Sequence, residues 1–122
     1  MVRFTRAFVG YAALLVLASA CVAPAASQST APASPEAQVT VELFQFKPAR
    51  LEVKVGTRVV WTNQDDVTHT VTSGVPERPT GLFDGRLEGK GSTFAFTFDR
   101  PGTYPYFCAR HEHMRGEVIV AP

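Results

Sequence analysis

The sequence predicts an all-β domain, an antiparallel sandwich or open barrel. Three observations carry that expectation. Apolar and polar residues alternate with period two in several short runs, the pattern of half-buried strands. Gly, Pro, Asn and Asp punctuate the runs at turn spacing. Helix signals are nearly absent.

The runs can be taken in order. In "QVTVEL", Val39, Val41 and Leu43 face one way and Gln38, Thr40 and Glu42 the other. The apolar phase then shifts to Phe44 and Phe46, which predicts a bulge or a corner. "RLEVKVG" alternates again, with Leu51, Val53 and Val55 inward and Gly56 as the turn. "TRVVWTN" sets Val59 and Trp61 on one face, and "HTVTS" is short and β-branched. Residues 74–91 hold five glycines and two prolines and read as a long connection. "STFAFTF" alternates Phe94, Phe96 and Phe98 with Thr93, Ala95 and Thr97, and "DRPG" is a turn. "TYPYFC" and "GEVIV" complete the set, joined by a loop "ARHEHMR" at one end of the sandwich. Trp61, Phe94, Phe96 and Phe98 are the core candidates.

The folded part is preceded by two other segments. Residues 1–20 read as an export signal: Arg3 and Arg6 supply a positive start, and Ala7 to Ala20 form an uncharged, mostly apolar run. That run is shorter than the roughly 20 residues that cross a bilayer. "LASAC" fits the pattern in which the cysteine, Cys21, is lipidated and becomes the mature N-terminus. Plain cleavage after Ala18-Ser19-Ala20 is the competing outcome. Residues 21–37 are rich in Ala, Pro and Ser, have no apolar period, and read as a linker. Residues 38–122 form one domain, sufficient for a single core. The expected location is exported, periplasmic or at the cell surface, with membrane contact only through lipid on Cys21.

Charge excludes more than it suggests. Without Arg3 and Arg6, ten basic side chains face eleven acidic ones. No basic stripe points to nucleic acid, and no glycine-rich phosphate loop appears.

The chemistry concentrates in "YFCARHEHMRG", residues 106–116. It holds Cys108, His111, His113 and Met114 in a chain with two cysteines and three histidines. A disulfide would need Cys21, which lies beyond the linker and loses its thiol if lipidated. A lone thiol in an oxidising compartment wants an explanation. A Cys–His nucleophile would need a cleft and an oxyanion hole that nothing in this small sandwich nominates. Zinc takes Cys and His, but methionine is a poor zinc ligand. Copper fits best. Cu(I) favours thiolate and thioether, Cu(II) accepts imidazole, and a site serving both uses a thiolate and two imidazoles in a plane with a distant thioether. Cys108, His111 and Met114 supply three of the four, spaced C-x-x-H-x-x-M. His69, in "DDVTHTV", is the histidine outside the loop and the candidate for the second imidazole. His113 competes with His111, but adjacency to Met114 turns it away from a shared centre, so it reads as exposed.

At these residues the chain resembles the cupredoxins, small blue-copper proteins, of the plastocyanin and amicyanin type. The resemblance runs through "FQFKPARLEVKVGTRVVWTNQDDVTHTVTSG" and "FTFDRPGTYPYFCARHEHMRGEVIV". It implies a Greek-key β-sandwich and one copper ion held by His69, Cys108, His111 and Met114. It implies one-electron shuttling between a redox donor and acceptor protein by a monomer, without chemistry on a substrate. It also implies that the Thr70 backbone N–H donates to the cysteine sulfur. Two departures stand out. Glu112 and His113 replace the Pro and aromatic residue usual between the second histidine and the methionine. Arg110, Glu112, His113 and Arg115 make the rim charged where relatives have an apolar docking patch. The rival function is a copper carrier or store. An oxidase or reductase with a binuclear copper site would need two loop cysteines, and this loop has one.

Overall fold

The computed structural model describes residues 10, 20–23 and 32–122. The chain separates into two units, Met1–Thr30 and Ala31–Pro122. Nearly all of the expected export signal, and residues 24–31 of the expected linker, fall outside the described residues. Cys21 is described, exposed and unpaired as a thiol.

Nine strands and no helix make up the regular structure among the described residues. They are β1 (Glu36–Glu42), β2 (Gln45–Lys47), β3 (Arg50–Lys54), β4 (Thr57–Asn63), β5 (His69–Val75), β6 (Arg78–Leu87), β7 (Thr93–Phe98), β8 (Gly102–Cys108) and β9 (His111–Ala121). One sheet has the order β2-β1-β4-β7 and the other β3-β9-β8-β5-β6. The chain therefore changes sheet after β2, β3, β4, β6 and β7. A strand reached by crossing out and back can return in its original direction. The sheets are accordingly mixed rather than purely antiparallel, because β1 pairs in parallel with β4 and β3 with β9. Side chains alternate in both pairings, so the pattern alone does not separate them.

The core lies between the sheets. Val39, Val41, Val59, Trp61, Val71, Leu87, Phe98, Tyr106 and Val118 are all buried. Full burial of side chains of this kind stabilises by about 1.5–3 kcal/mol each. Trp61 sits among Phe83, Phe94, Phe98 and Tyr106 at centroid distances of 5.4 to 6.5 Å. Phe94 and Phe96, on edge strand β7, are only partly buried. Tyr106 lies over its cross-strand partner Gly116, where an added Cβ would collide with the ring. Trp61 Nε1 and Tyr106 Oη are buried without a hydrogen-bond partner.

Four expectations need correction. Residues 74–91 are not one long connection, since ten of them form β6. Phe83, Gly85 and Leu87 point inward there at period two. Pro79 is tolerated because β6 is an edge strand. Gly85 is required because the Phe94 ring fills the space of its Cβ. Leu43 does not face the core with Val39 and Val41 but is 70% exposed. The phase shift after it is a two-residue hairpin turn, Leu43–Phe44, with φ of 53° and 57°. Both are in the left-handed region, which costs a non-glycine residue on the order of 1–2 kcal/mol. Val55 also leaves the inward row and is exposed, because it follows the end of β3. β1 starts at Glu36, so the last two residues of the expected linker already pair with β4.

Candidate metal centre

The site is built at one end of the sandwich from two hairpin neighbours and a third segment. β8 ends on Cys108, a two-residue turn follows, and β9 begins on His111. The presumed seven-residue loop is thus mostly strand. Its register is irregular: Phe107 pairs with Arg115, yet Cys108 pairs with His111, leaving Glu112, His113 and Met114 as extra residues on β9. In an unbroken strand, residues three apart face opposite sides. This excursion is what lets His111 reach the hairpin end while Met114 returns to the interior.

β5 pairs with β8 through Thr72–Phe107 and Ser73–Tyr106, so its first residue, His69, arrives beside the same hairpin end. His69 Nδ1 lies 3.8 Å and His111 Nδ1 3.6 Å from Cys108 Sγ. The three donor atoms all fall within 4.8 Å of one another. Cys108 and His69 are fully buried, Met114 is buried in the same core cluster as Cys108, and His111 is half-buried. His113 is exposed, as its position beside Met114 predicts. Arg110, Glu112 and Arg115 are exposed with it, so the charged rim is present.

Hydrogen bonds hold this arrangement from outside. The Thr70 N–H donates to Cys108 Sγ at 3.3 Å. The Thr70 hydroxyl accepts from the Ala109 N–H at 2.7 Å and lies 2.9 Å from Thr72 Oγ1. Thr72 in turn donates to Asp84 at 2.8 Å. A hydroxyl has one proton, so the chain has one direction: Ala109 N–H to Thr70, Thr70 to Thr72, Thr72 to the carboxylate. On the other flank, Asp65 Oδ2 lies 2.8 Å from His69 Nε2. A carboxylate there selects the tautomer with the proton on Nε2 and leaves the Nδ1 lone pair facing Cys108.

Electrostatics agree with that assignment. Burial works against the Asp65 carboxylate, but the amides of Phe44 and Leu43 and the His69 imidazole outweigh it and hold the group below its usual range. Desolvation, then the charges of His69, His113 and Arg110, push the His111 imidazole below its ordinary value, with Asp65 opposing. A neutral imidazole with a free lone pair is what a metal requires. The ring of Phe44 meets His69 and His111 edge-on, at 5.3 and 5.0 Å between centroids.

Three of the four residues expected from sequence, His69, Cys108 and His111, are brought together here, and Met114 is buried in the core cluster that contains Cys108. Asp65, Phe44 and the Thr72–Asp84 relay are not foreseen by sequence reasoning. The one available signal is an acidic residue four positions before His69, and Asp66 beside it carries the same signal.

A mixed two-sheet sandwich with a buried Cys and two His converging at one end defines a β domain built to hold a metal ion. Comparison with known proteins makes this specific. Residues 11–120 match the family model described as a cupredoxin-like domain, and the chain belongs to that family. It is 31% identical to amicyanin-alpha of Methylorubrum extorquens over 114 residues, covering 90% of this chain and 95% of that protein. It is 33% identical to amicyanin of Paracoccus versutus over 82 residues, covering 67% of this chain and 62% of that one. Among solved structures, a purple cupredoxin from Nitrosopumilus maritimus is similar with a TM-score of 0.64 and 33% identity, over 70% of this chain and 99% of that one.

Proposed function

We propose that the chain is an exported mononuclear type 1 copper protein that carries single electrons between a redox donor and a redox acceptor. His69, Cys108, His111 and Met114 are its copper ligands. The observation that carries this reading is the convergence of two imidazole Nδ1 atoms on one buried thiol at 3.8 and 3.6 Å. First-row ions take thiolate at about 2.3 Å and imidazole at about 2.0 Å, which in a trigonal plane leaves sulfur and nitrogen about 3.7 Å apart. The donor set therefore fits one ion without rearrangement. A thioether ligand from Met114, which is buried, favours copper over zinc.

When bound, copper supplies the Cu(II)/Cu(I) couple. The chain supplies the rest. Cys108 and His69 stand buried on neighbouring strands of one sheet, β8 and β5, so little has to move between the two oxidation states. The Thr70 N–H withdraws density from the thiolate and favours the reduced form. Full burial of Cys108 and His69 keeps water away. His111, half-buried at the hairpin end, is the port for electrons. The protein is an electron carrier and not an enzyme. Lipidation of Cys21, with residues 22–35 as a tether, is the finer reading of its location, supported by the "LASAC" pattern.

Visible and EPR spectra of the copper-loaded protein, followed by redox titration, test the proposal. An intense thiolate-to-copper band and a reversible one-electron couple are expected, and Cys108→Ser abolishes the band while the fold persists. A variant that stays intensely coloured refutes the ligand assignment. Release of the metal to a chelator on each cycle would make the protein a copper carrier instead.

A further inference from the structure

The turn between β1 and β2 places two bulky residues, Leu43 and Phe44, in the left-handed region without a glycine. Such a turn normally takes Asn-Gly or Asp-Gly. What holds it is a side chain from another loop. Asp65 Oδ1 accepts the Leu43 N–H at 2.8 Å, and Oδ2 accepts the Phe44 N–H at 3.0 Å. The same Oδ2 accepts the His69 Nε2–H at 2.8 Å. One carboxylate thus satisfies three donors from two segments of the chain. Asp65 is itself fixed by buried Asn63, whose Oδ1 accepts the Asp65 N–H at 2.9 Å and whose Nδ2 donates to Val67 O at 2.8 Å.

The consequence reaches the site from above. With its amide pinned, Phe44 presents its ring edge-on to both His69 and His111. We propose that Asp65 is a positioning residue that couples the Leu43–Phe44 turn to the copper ligands: its carboxylate sets the His69 tautomer and, through the two turn amides, seats the Phe44 ring over both imidazoles. This rests on the ligand assignment above, yet its first test needs no copper.

In the metal-free protein, nitrogen NMR of His69 reads the tautomer and hydrogen exchange reads the turn. The wild type shows His69 protonated at Nε2 and slowly exchanging Leu43 and Phe44 amides. Asp65→Ala loses the tautomer preference and exchanges both amides at least tenfold faster. Asp65→Asn keeps the shape but lacks the second acceptor oxygen and the charge. In the copper-loaded protein it raises the reduction potential, because a nearby anion favours Cu(II). A tenfold change in relative affinity for the two states is 59 mV for one electron. If Asp65→Ala does not fold, the same change is made beside Leu43→Asn and Phe44→Gly, a turn that holds its shape unaided. Retention of the fixed His69 tautomer in a variant carrying Asp65→Ala, or unchanged turn exchange in Asp65→Ala alone, overturns the proposal. A wild type that binds no copper sinks the ligand reading instead, and leaves the metal-free result standing.

Discussion

The two sides of the metal centre are held by different means. On one side, β8 and β9 supply Cys108, His111 and Met114 within seven residues, positioned by a two-residue turn and a local slip of register. On the other, β5 supplies His69 alone. Its place is set by partners outside its strand: Asp65 behind the ring, the Leu43–Phe44 turn above it, and strand pairing to β8 beside it. Burial follows the same division. His69 is enclosed, whereas His111 is half open to solvent. Under the proposed function, this difference makes the hairpin side the port for electrons and the β5 side the fixed wall.

The sharpest way to break this comparison is to remove each imidazole in turn. His111→Gly leaves a gap that opens to solvent, and free imidazole added from outside refills it. His69→Gly leaves a closed cavity behind the β5 wall, lined by Asp65, and added imidazole does not restore the site. Both variants lose the thiolate-to-copper band entirely without the additive. Titration of imidazole against the visible spectrum separates them. Equal rescue of both would show that the wall is no more closed than the port.

A smaller effect tests whether the hairpin side is anchored in the core. Tyr106 lies two residues before Cys108, is fully buried and packs against Trp61 and Gly116. Burial pushes its phenol up to about 12 from 10, and the nearby Trp61 indole offsets only part of this, since it is not placed to complete a hydrogen bond. The sign follows from linkage. Below pH 10 the phenol is protonated in both states and its contribution is whole. Between pH 10 and about 12 the unfolded chain releases this proton and the folded protein keeps it, so stability falls. Two pKa units correspond to about 3 kcal/mol at most. Denaturant unfolding of the wild type and Tyr106→Phe across that range is expected to show the extra fall only in the wild type. Parallel curves would mean that Tyr106 reaches water and that the base of the hairpin is loose.

The comparison also explains what was legible in the sequence. The hairpin ligands can be read because their partners lie within a few residues, and C-x-x-H-x-x-M carries the chemistry on its face. His69 can be read because the hairpin holds the other two histidines of the chain. Asp65 cannot, because Asp66 stands next to it and only the turn that Asn63 imposes distinguishes them. The left-handed Leu43–Phe44 turn is hidden for the same reason: its support comes from a residue more than twenty positions away. Strand β6 is masked by glycines and prolines whose roles, an edge position and room for Phe94, exist only after the sheets have packed.

The smallest effect concerns the surface that partners meet. The rim differs across the site: Arg110, Glu112, His113 and Arg115 on the hairpin side, exposed Leu43 and Phe44 on the other. Two arginines against one glutamate give the hairpin side a slight positive excess. The rest of the domain is close to neutral, so this local excess sets the sign of steering. Oxidation of the reduced protein by an anionic one-electron reagent is expected to slow about twofold as salt rises, since the Debye length shrinks from about 30 Å at 0.01 M to about 10 Å at 0.1 M. A cationic reagent should show the opposite trend, and Arg110→Glu should exchange the two. Stopped-flow rates at several ionic strengths measure this. Salt-independent rates with both reagents would place the electron port away from the hairpin, on the apolar side beside Phe44.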